Sequence, residues 1–529
     1  MSTANHIAES AVWKPKVNPW IIGVVVALGA FMEVLDTDIA NVALPHIAGN
    51  LGATNSQSTW VLTSYLVANA IVLPITGFLA EMFGRKRLFM VCIALFTVSS
   101  FFCGIAQSLG MLILFRVLQG AFGGGLQPMA QAILFDSFPP QKHGQAFALF
   151  GVTVVIAPAI GPILGGWITD NYNWRWVFYI NIPVGLLTLL LVYNLLDDQA
   201  HVKSAIKRLA NFDYVGFSLL ALGVGALQIL LDKGQEDDWF GSHFITTLFI
   251  IAVVGLVSLA IWEWHHKDPI VDVRLFRNFN FATANVMFLM LGASFFSALV
   301  LLPQFLQTLM GYPAQTAGMV LSTGAIVMSI MLVCVGQLSA RLQARHMIAF
   351  GWIAVAVGMY ISTRQTDLYV SFDSAARLRI LQCFALPFLF VPLTTAAYIG
   401  ISTAKRNNAA GLMNFTRNIG QSIGTAFVTT IVARRAQFHQ SMLAEYTSST
   451  RFLSSIDGLA MQLHQAGLSV QDAKRQALDR LYGLLQVQAT AISYLDVYWL
   501  LGVVAIAMFL ASFFLAKNEP KAGGHISLH

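Results

Sequence analysis

Apolar stretches of about twenty residues recur along this chain of 529, separated for the most part by short polar loops. About 20 apolar residues cross the hydrocarbon core as a helix, the open-chain form that satisfies its own backbone in lipid. Fourteen stretches meet that description. Six lie near 19–40, 58–80, 88–107, 110–134, 145–168 and 175–196, two near 213–231 and 243–265, and six near 281–306, 314–336, 347–364, 378–401, 410–433 and 492–516. The pattern predicts an all-α membrane protein with fourteen transmembrane helices. One connection breaks it. Residues 435–490 are polar with helical stretches such as Gly467-LSVQDAKRQALDRLYGLL, and a connection this long is usually functional or unstructured.

Composition supports a lipid environment: 57% of residues are apolar and 11% charged, against about 25% charged in a soluble domain. The net charge of +6 does not mark a nucleic-acid binder, because the cations sit in short clusters between apolar runs rather than on one face. With both termini cytoplasmic, 18 Lys and Arg fall in inner loops and 5 in short outer loops. That asymmetry sets the orientation. The polar first 16 residues and the long first apolar run do not fit a cleavable signal peptide. Cys92, Cys103, Cys334 and Cys383 are far apart in apolar runs, so neither a disulfide framework nor a metal site is expected.

A weak repeat divides the chain. Gly77-FLAEMFGRKR-Leu88 follows the second stretch and Gly336-QLSARLQAR-His346 the tenth, as in transporters built from parallel six-helix repeats. The expected organisation is a cytoplasmic segment 1–18, a six-helix half 19–200, two inserted helices within 201–268, a second half 269–516 carrying the extracytoplasmic segment 435–490, and a cytoplasmic tail 517–529.

The chemistry concentrates in the first stretch, which carries Glu33, Asp36 and Asp38. A charge at the bilayer centre costs about 2.5–3.5 kcal/mol on insertion scales and marks an ion pathway by default. At about 100° per residue Glu33 and Asp36 share a face, while Asp38 turns away toward the outer mouth. Arg116 in the fourth stretch lies at a depth matching Asp36. A pair is therefore geometrically possible, either a static one or one that breaks during turnover. Asn414, Arg417, Asn418 and Gln421 recur at i, i+3, i+4 and i+7, a single helix face that points to the protein interior or an aqueous cavity. Asn41 and Gln119 are further candidates for a cavity lining. No G-x-x-x-x-G-K-[ST] or HExxH pattern occurs and the apolar stretches carry few paired catalytic groups, which disfavours an ATP-driven pump and an intramembrane enzyme.

Several patterns in order resemble the fourteen-span drug:proton antiporters of the major facilitator superfamily, the EmrB/QacA group and its EmrB-type permeases in particular. They are Leu35-DTDIANVAL-Pro45, Gly77-FLAEMFGRK-Arg87, Arg116-VLQ-Gly120, Pro158-AIGPILG-Gly166, Trp174-RWVFYINIPVG, Leu231-DKGQEDDW-Phe240, Pro269-IVDVRLF and Asn414-FTRNIGQSIG. The resemblance implies an inner-loop gating motif of Gly77, Glu81, Gly84, Arg85 and Arg87. It also implies an antiporter motif of Gly151, Pro158, Gly161, Pro162, Gly165 and Gly166 that bends or seals the fifth helix. Proton coupling is expected from Asp36 with Arg116, and Glu33 is a candidate second proton or cation site. Glu81 stands where the group usually has Asp, and Asp38 where it usually has a small polar residue.

The function expected on this basis is proton-driven export of lipophilic compounds across a bacterial inner membrane, with no cofactor beyond the proton gradient. Partners implied by the resemblance are a periplasmic adaptor, docked on 435–490, and an outer-membrane channel. The alternative is a dedicated exporter or importer of one metabolite, fatty acid or nutrient on the same fold.

Overall fold

The computed structural model describes residues 17–139, 142–196, 213–267, 269–402, 405–445 and 450–517. Most of the expected N-terminal segment, much of the loop before the seventh helix and nearly all of the tail lie outside the described residues. The described chain is helical throughout, with no strand. Its helices are α1 (Pro19–Leu51), α2 (Ser56–Phe83), α3 (Arg85–Gly104), α4 (Leu109–Ser137), α5 (His143–Asn171), α6 (Trp176–Leu195), α7 (Tyr214–Lys233) and α8 (His243–His265). There follow α9 (279–308, through a π-turn at Gly292–Phe296), α10 (Ala314–Leu338), α11 (Ala344–Gln365), α12 (Phe372–Ala397), α13 (Arg406–Glu445), α14 (Thr450–Gln465) and α15 (Val470–Ala511).

Helix occupies all fourteen predicted stretches, and twelve of them contain a helix long and apolar enough to cross a membrane. The other two are α9 and α13. Of these, α9 runs on through its π-turn at Gly292–Phe296, and α13 carries many polar residues along its 40.

Local chemistry fixes several ends. Asn18 caps α1, its side chain accepting from the Trp20 N–H at 3.0 Å, and Pro19 occupies the first helical position. The helix continues past its predicted end, through Pro45, to a left-handed Gly52. Ser108 caps α4, whose interior is interrupted at Gly124 and Gly125. A turn at Gly84, φ +85°, starts α3, a conformation that favours glycine.

Packing centres on a few long helices. α1 lies against α5, α4 and α6, and α2 against α4. α13 packs on α15 and α9, and α10 on α12. The helices of residues 19–195 meet those of 279–511 through α5 on α10 and α2 on α13. α7 packs on α8 and touches both α2 and α13. The polar segment after α13 forms a helical pair, α14 against the first turns of α15, around Ile456, Leu463, Ala473 and Ala477.

Candidate transport site

Asp36 and Arg116 meet. Arg116 Nη1 donates to Asp36 Oδ2 at 2.5 Å, with the two side chains 0% and 1% exposed. The rest of the shell completes the pair. Gln119 Nε2 and Asn181 Nδ2 donate to Asp36 Oδ1 at 2.8 and 2.6 Å, and Arg116 also donates to Gln119 Oε1 and to the Val61 carbonyl. The guanidinium lies 4.2 Å from the Tyr65 ring centroid, a cation–π contact worth up to about 2 kcal/mol when desolvated. Removing one partner of such a pair leaves an uncompensated buried charge, at a cost of about 3–5 kcal/mol. Four helices thus meet at the pair: α4 and α6 donate to the carboxylate of α1, and α2 accepts from the guanidinium through its Val61 carbonyl.

Glu33, one turn earlier, belongs to a second network. It accepts from Asn69 Nδ2 of α2 at 2.8 Å and is in hydrogen-bond contact with Gln127 of α4. Gln127 Oε1 in turn accepts from Arg417 Nη2 of α13 at 2.6 Å. Beside it, Asn414 Nδ2 donates to Gln131 Oε1 at 2.7 Å. Two glutamines spaced i, i+4 on α4 therefore face two polar residues spaced i, i+3 on α13. This is the polar bridge between the two groups of helices.

The predicted face of α13 divides along its length. Asn414 and Arg417 are buried, Asn418 is half-buried and Gln421 is exposed. The helix face turns out of the interior toward that end. Asn41 is likewise exposed and joins neither network. Asp38, expected near the outer mouth, faces α5: a Cβ on Gly161 would stand 2.7 Å from its own Cβ. Gly165 packs on the Ile39 backbone and Gly151 on Leu332 of α10, whereas a Cβ on Gly166 would meet nothing within 4 Å. Close packing therefore explains Gly151, Gly161 and Gly165, but not Gly166. Pro158 and Pro162 lie inside the continuous helix α5.

At the Arg85 end of the bundle a contact joins α2, α3, α4 and α13. A Cβ on Gly77 would fall 2.6 Å from the Asn408 Cα. Asn408 Nδ2 donates to Glu81 Oε1 at 3.4 Å. Asp136 pairs with Arg85 and, at 3.2 Å, with Arg406. The cations of the inner-loop motif occupy the first turn of α3, where the helix dipole disfavours them, and Asp136 offsets that. Lys86 instead reaches the Tyr193 carbonyl near the C-terminus of α6, while Arg87 is exposed. A second close contact at this end sets Gly144 of α5 against Gly336 of α10 and Ser339 just past its end.

Opposite this end, the 231–240 pattern ties the two groups together through α7. Asp232 pairs with Thr63 and Lys233 with Thr59 on α2, while Gln228 bonds Ser422 and Trp239 bonds Thr430 on α13. Asp238 and Trp239 both adopt positive φ to make that turn.

Sequence reading missed Asn69, Gln127, Gln131, Asp136, Asn181, Arg406 and Asn408. The signal for most of them was present: each of Asn69, Gln127, Gln131 and Asn181 is an isolated polar residue in an apolar stretch, the argument already applied to the acids.

The major facilitator superfamily model matches residues 26–425. The chain belongs to the major facilitator superfamily. This family member is 38% identical over 505 residues to the multidrug export protein EmrB of Escherichia coli strain K12, covering 95% of this chain and 96% of that one. It is 37% identical over 499 residues to the fatty acid resistance protein FarB of Neisseria gonorrhoeae, covering 94% and 96%. Among solved structures it resembles the proton:xylose symporter XylE bound to 6-bromo-6-deoxy-D-glucose, with a TM-score of 0.57 at 13% identity over 95% of this chain and 97% of that one. That likeness concerns the fold.

Proposed function

We propose that the protein is a proton-coupled antiporter that exports lipophilic drugs or toxic compounds across a bacterial inner membrane. It is a transporter rather than an enzyme, with fourteen spans, both termini cytoplasmic, and two six-helix halves separated by α7 and α8. The observation that carries the reading is the buried Asp36–Arg116 pair, held by Gln119 and Asn181.

A buried carboxylate without compensation favours its neutral form, and an adjacent guanidinium restores the charged one. In contact Asp36 and Arg116 satisfy each other; parted, each would be a lone charge in a buried site, so the two arrangements differ in which charges the carrier tolerates. Coupling requires such a difference between two states of the carrier. A proton entering from outside neutralises Asp36, and drug arriving from inside favours its release. Glu33, next to the Gln127–Arg417 bridge between the halves, is the second proton-linked acid. The cluster of Glu81, Arg85, Asp136, Arg406 and Asn408 latches the cytoplasmic side, and the α1–α5 contact at Gly161 keeps the outer side sealed against leak.

The α14–α15 helical pair extends beyond the spans with Met461, Leu478, Tyr482 and Leu484 more than half exposed. Exposed apolar side chains grouped on a protruding element mark an interaction surface. A periplasmic adaptor leading to an outer-membrane channel is the partner that fits export across two membranes.

The likeness to FarB supports a second reading, a dedicated exporter of fatty acids. Reconstituted vesicles with and without a pH gradient, tested across a panel of dyes and fatty acids, separate the two. Gradient-driven movement of several unrelated compounds supports multidrug export; movement of one class supports the dedicated exporter; movement of none overturns both.

A further inference from the structure

The inserted helix α7 bridges the two groups of helices at the end opposite Arg85, and its bonds to them differ in kind. On the α2 side the anchor is a buried charge. Lys233, 3% exposed, pairs with Glu236 at 2.8 Å. Its ammonium also donates to Thr59 Oγ1 and the Ser56 carbonyl and lies 5.7 Å from the Trp60 ring centroid. Beside it Asp232 accepts from Thr63. Charge-assisted bonds are about twice as strong as neutral ones. Parting α7 from α2 would leave the ammonium only Glu236 of its own turn, a costly loss for a buried cation.

On the α13 side both bonds are neutral. Gln228 Nε2 donates to Ser422 Oγ at 2.9 Å and Trp239 Nε1 to Thr430 Oγ1 at 3.0 Å. Three of these four groups have a second partner on their own segment. Trp239 Nε1 also reaches Gln235 Oε1 at 3.2 Å, and the Ser422 and Thr430 hydroxyls donate to the Asn418 and Ala426 carbonyls of α13. These three therefore part without an orphaned donor, which is what makes a lost hydrogen bond expensive. The turn that delivers Trp239 is strained: Asp238 and Trp239 take φ of +58° and +45°, values that non-glycine residues adopt rarely and mostly at functional or switching segments. α8 follows α7, because Gly223 and Gly255 bring the two backbones into contact, a Cβ on Gly255 standing 2.8 Å from the Gly223 Cα.

Alternating access requires the helix groups to part at one end while the other end holds. When the end opposite Arg85 opens, α7 keeps its hold on one group and releases the other. We infer that α7 and α8 travel as one body with the first group, residues 19–195, and that the Gln228–Ser422 and Trp239–Thr430 bonds are the strap by which α7 closes this end on α13. The inference rests on the transporter reading and adds to it a function for the two inserted helices.

The test uses the full chain, freed of its four cysteines and reconstituted in proteoliposomes, with two introduced cysteine pairs and a short reducible bis-methanethiosulfonate cross-linker. One pair, Trp239→Cys with Thr430→Cys, spans the strap; the other, Lys233→Cys with Thr59→Cys, joins α7 to α2. Gradient-driven dye transport is read before cross-linking, after it and again after reduction. Cross-linking across the strap should abolish transport and reduction restore it, while cross-linking α7 to α2 should leave the rate unchanged. Undiminished transport with the strap cross-linked would overturn the inference, and so would loss of transport on cross-linking α7 to α2. Should either pair be inactive before cross-linking, spin labels at the exposed positions Gln57, Asp237 and Phe427 decide. In the double variant Gln228→Leu with Trp239→Phe, the Asp237–Phe427 distance should gain a longer population while the Asp237–Gln57 distance stays as in the parent. An unchanged Asp237–Phe427 distribution or a shifted Asp237–Gln57 one overturns the strap. Dye export by the cysteine-free parent is measured in parallel. Its absence counts against the transport function itself, and the spin-label distances then judge the strap.

Discussion

Gly77 of α2 lies directly on the backbone of Asn408 in α13, leaving no room for a side chain: an added Cβ would stand 2.6 Å from the Asn408 Cα and equally close to its amide nitrogen. Backbone does not yield as a flexible side chain does. The contact joins the two groups of helices at the Arg85 end, and its closeness is what permits Asn408 to reach Glu81. Gly77→Leu should therefore force α2 and α13 apart at this end. Spin labels at the exposed positions Phe83 and Ser402 in a cysteine-free background measure it by electron–electron double resonance. A longer-distance population should appear in the variant; an unchanged distribution would remove the latch from the account.

Asp136 serves two cations at once, Arg85 and Arg406. Asp136→Asn leaves both without a counter-charge at the start of their helices, where the dipole adds to the repulsion. Transport should fall about tenfold or more, while the double exchange Asp136→Arg with Arg406→Asp should recover part of it. Recovery by neither the exchange nor the conservative Asp136→Glu would mean that the residue acts elsewhere.

Gly161 and Gly166 belong to one motif but meet different surroundings. A Cβ at Gly161 collides with Asp38, and one at Gly166 meets open space. Overpacking at Gly161→Ala should cost about 1–3 kcal/mol. Gly166→Ala should be neutral or stabilising by up to about 1 kcal/mol, because alanine is the better helix former. Melting temperatures in detergent decide it, and equal effects at the two sites would contradict the packing described for α1 and α5.

Asp36 and Arg116 are energetically one unit if their mutual burial means what the geometry implies. Each single neutralisation, Asp36→Asn or Arg116→Gln, strands the other group and should cost about 3–5 kcal/mol at most. The double variant should be less destabilised than the sum of the two by more than about 1 kcal/mol. Additive losses in a denaturation series would deny the coupling.

Much of this was legible along the chain because lipid imposes a strict rule. Apolar runs of fixed length forecast helices at every predicted stretch, and the cost of burying charge singled out Asp36 and Arg116 before their contact was visible. What stayed hidden had two causes. Helix ends drifted: α1 runs to Leu51 because proline at Pro45 is tolerated within it, and α13 extends far past its apolar part. Long-range partnership was also invisible, since nothing in spacing brings Gln127 to Arg417, 290 positions away, or Asp136 to Arg406. Asp38 shows the limit from the other side. Helical periodicity turned it correctly away from Asp36, but only the packed structure places it against Gly161.

The central claim is that Asp36, through its contact with Arg116, couples substrate movement to protons. The most direct measurement compares wild type and Asp36→Asn in proteoliposomes, following a transported dye in two modes. The account predicts that Asp36→Asn still exchanges dye across the membrane without a gradient, yet no longer accumulates it when a pH gradient is imposed. Gradient-driven accumulation by Asp36→Asn equal to that of the wild type would contradict it.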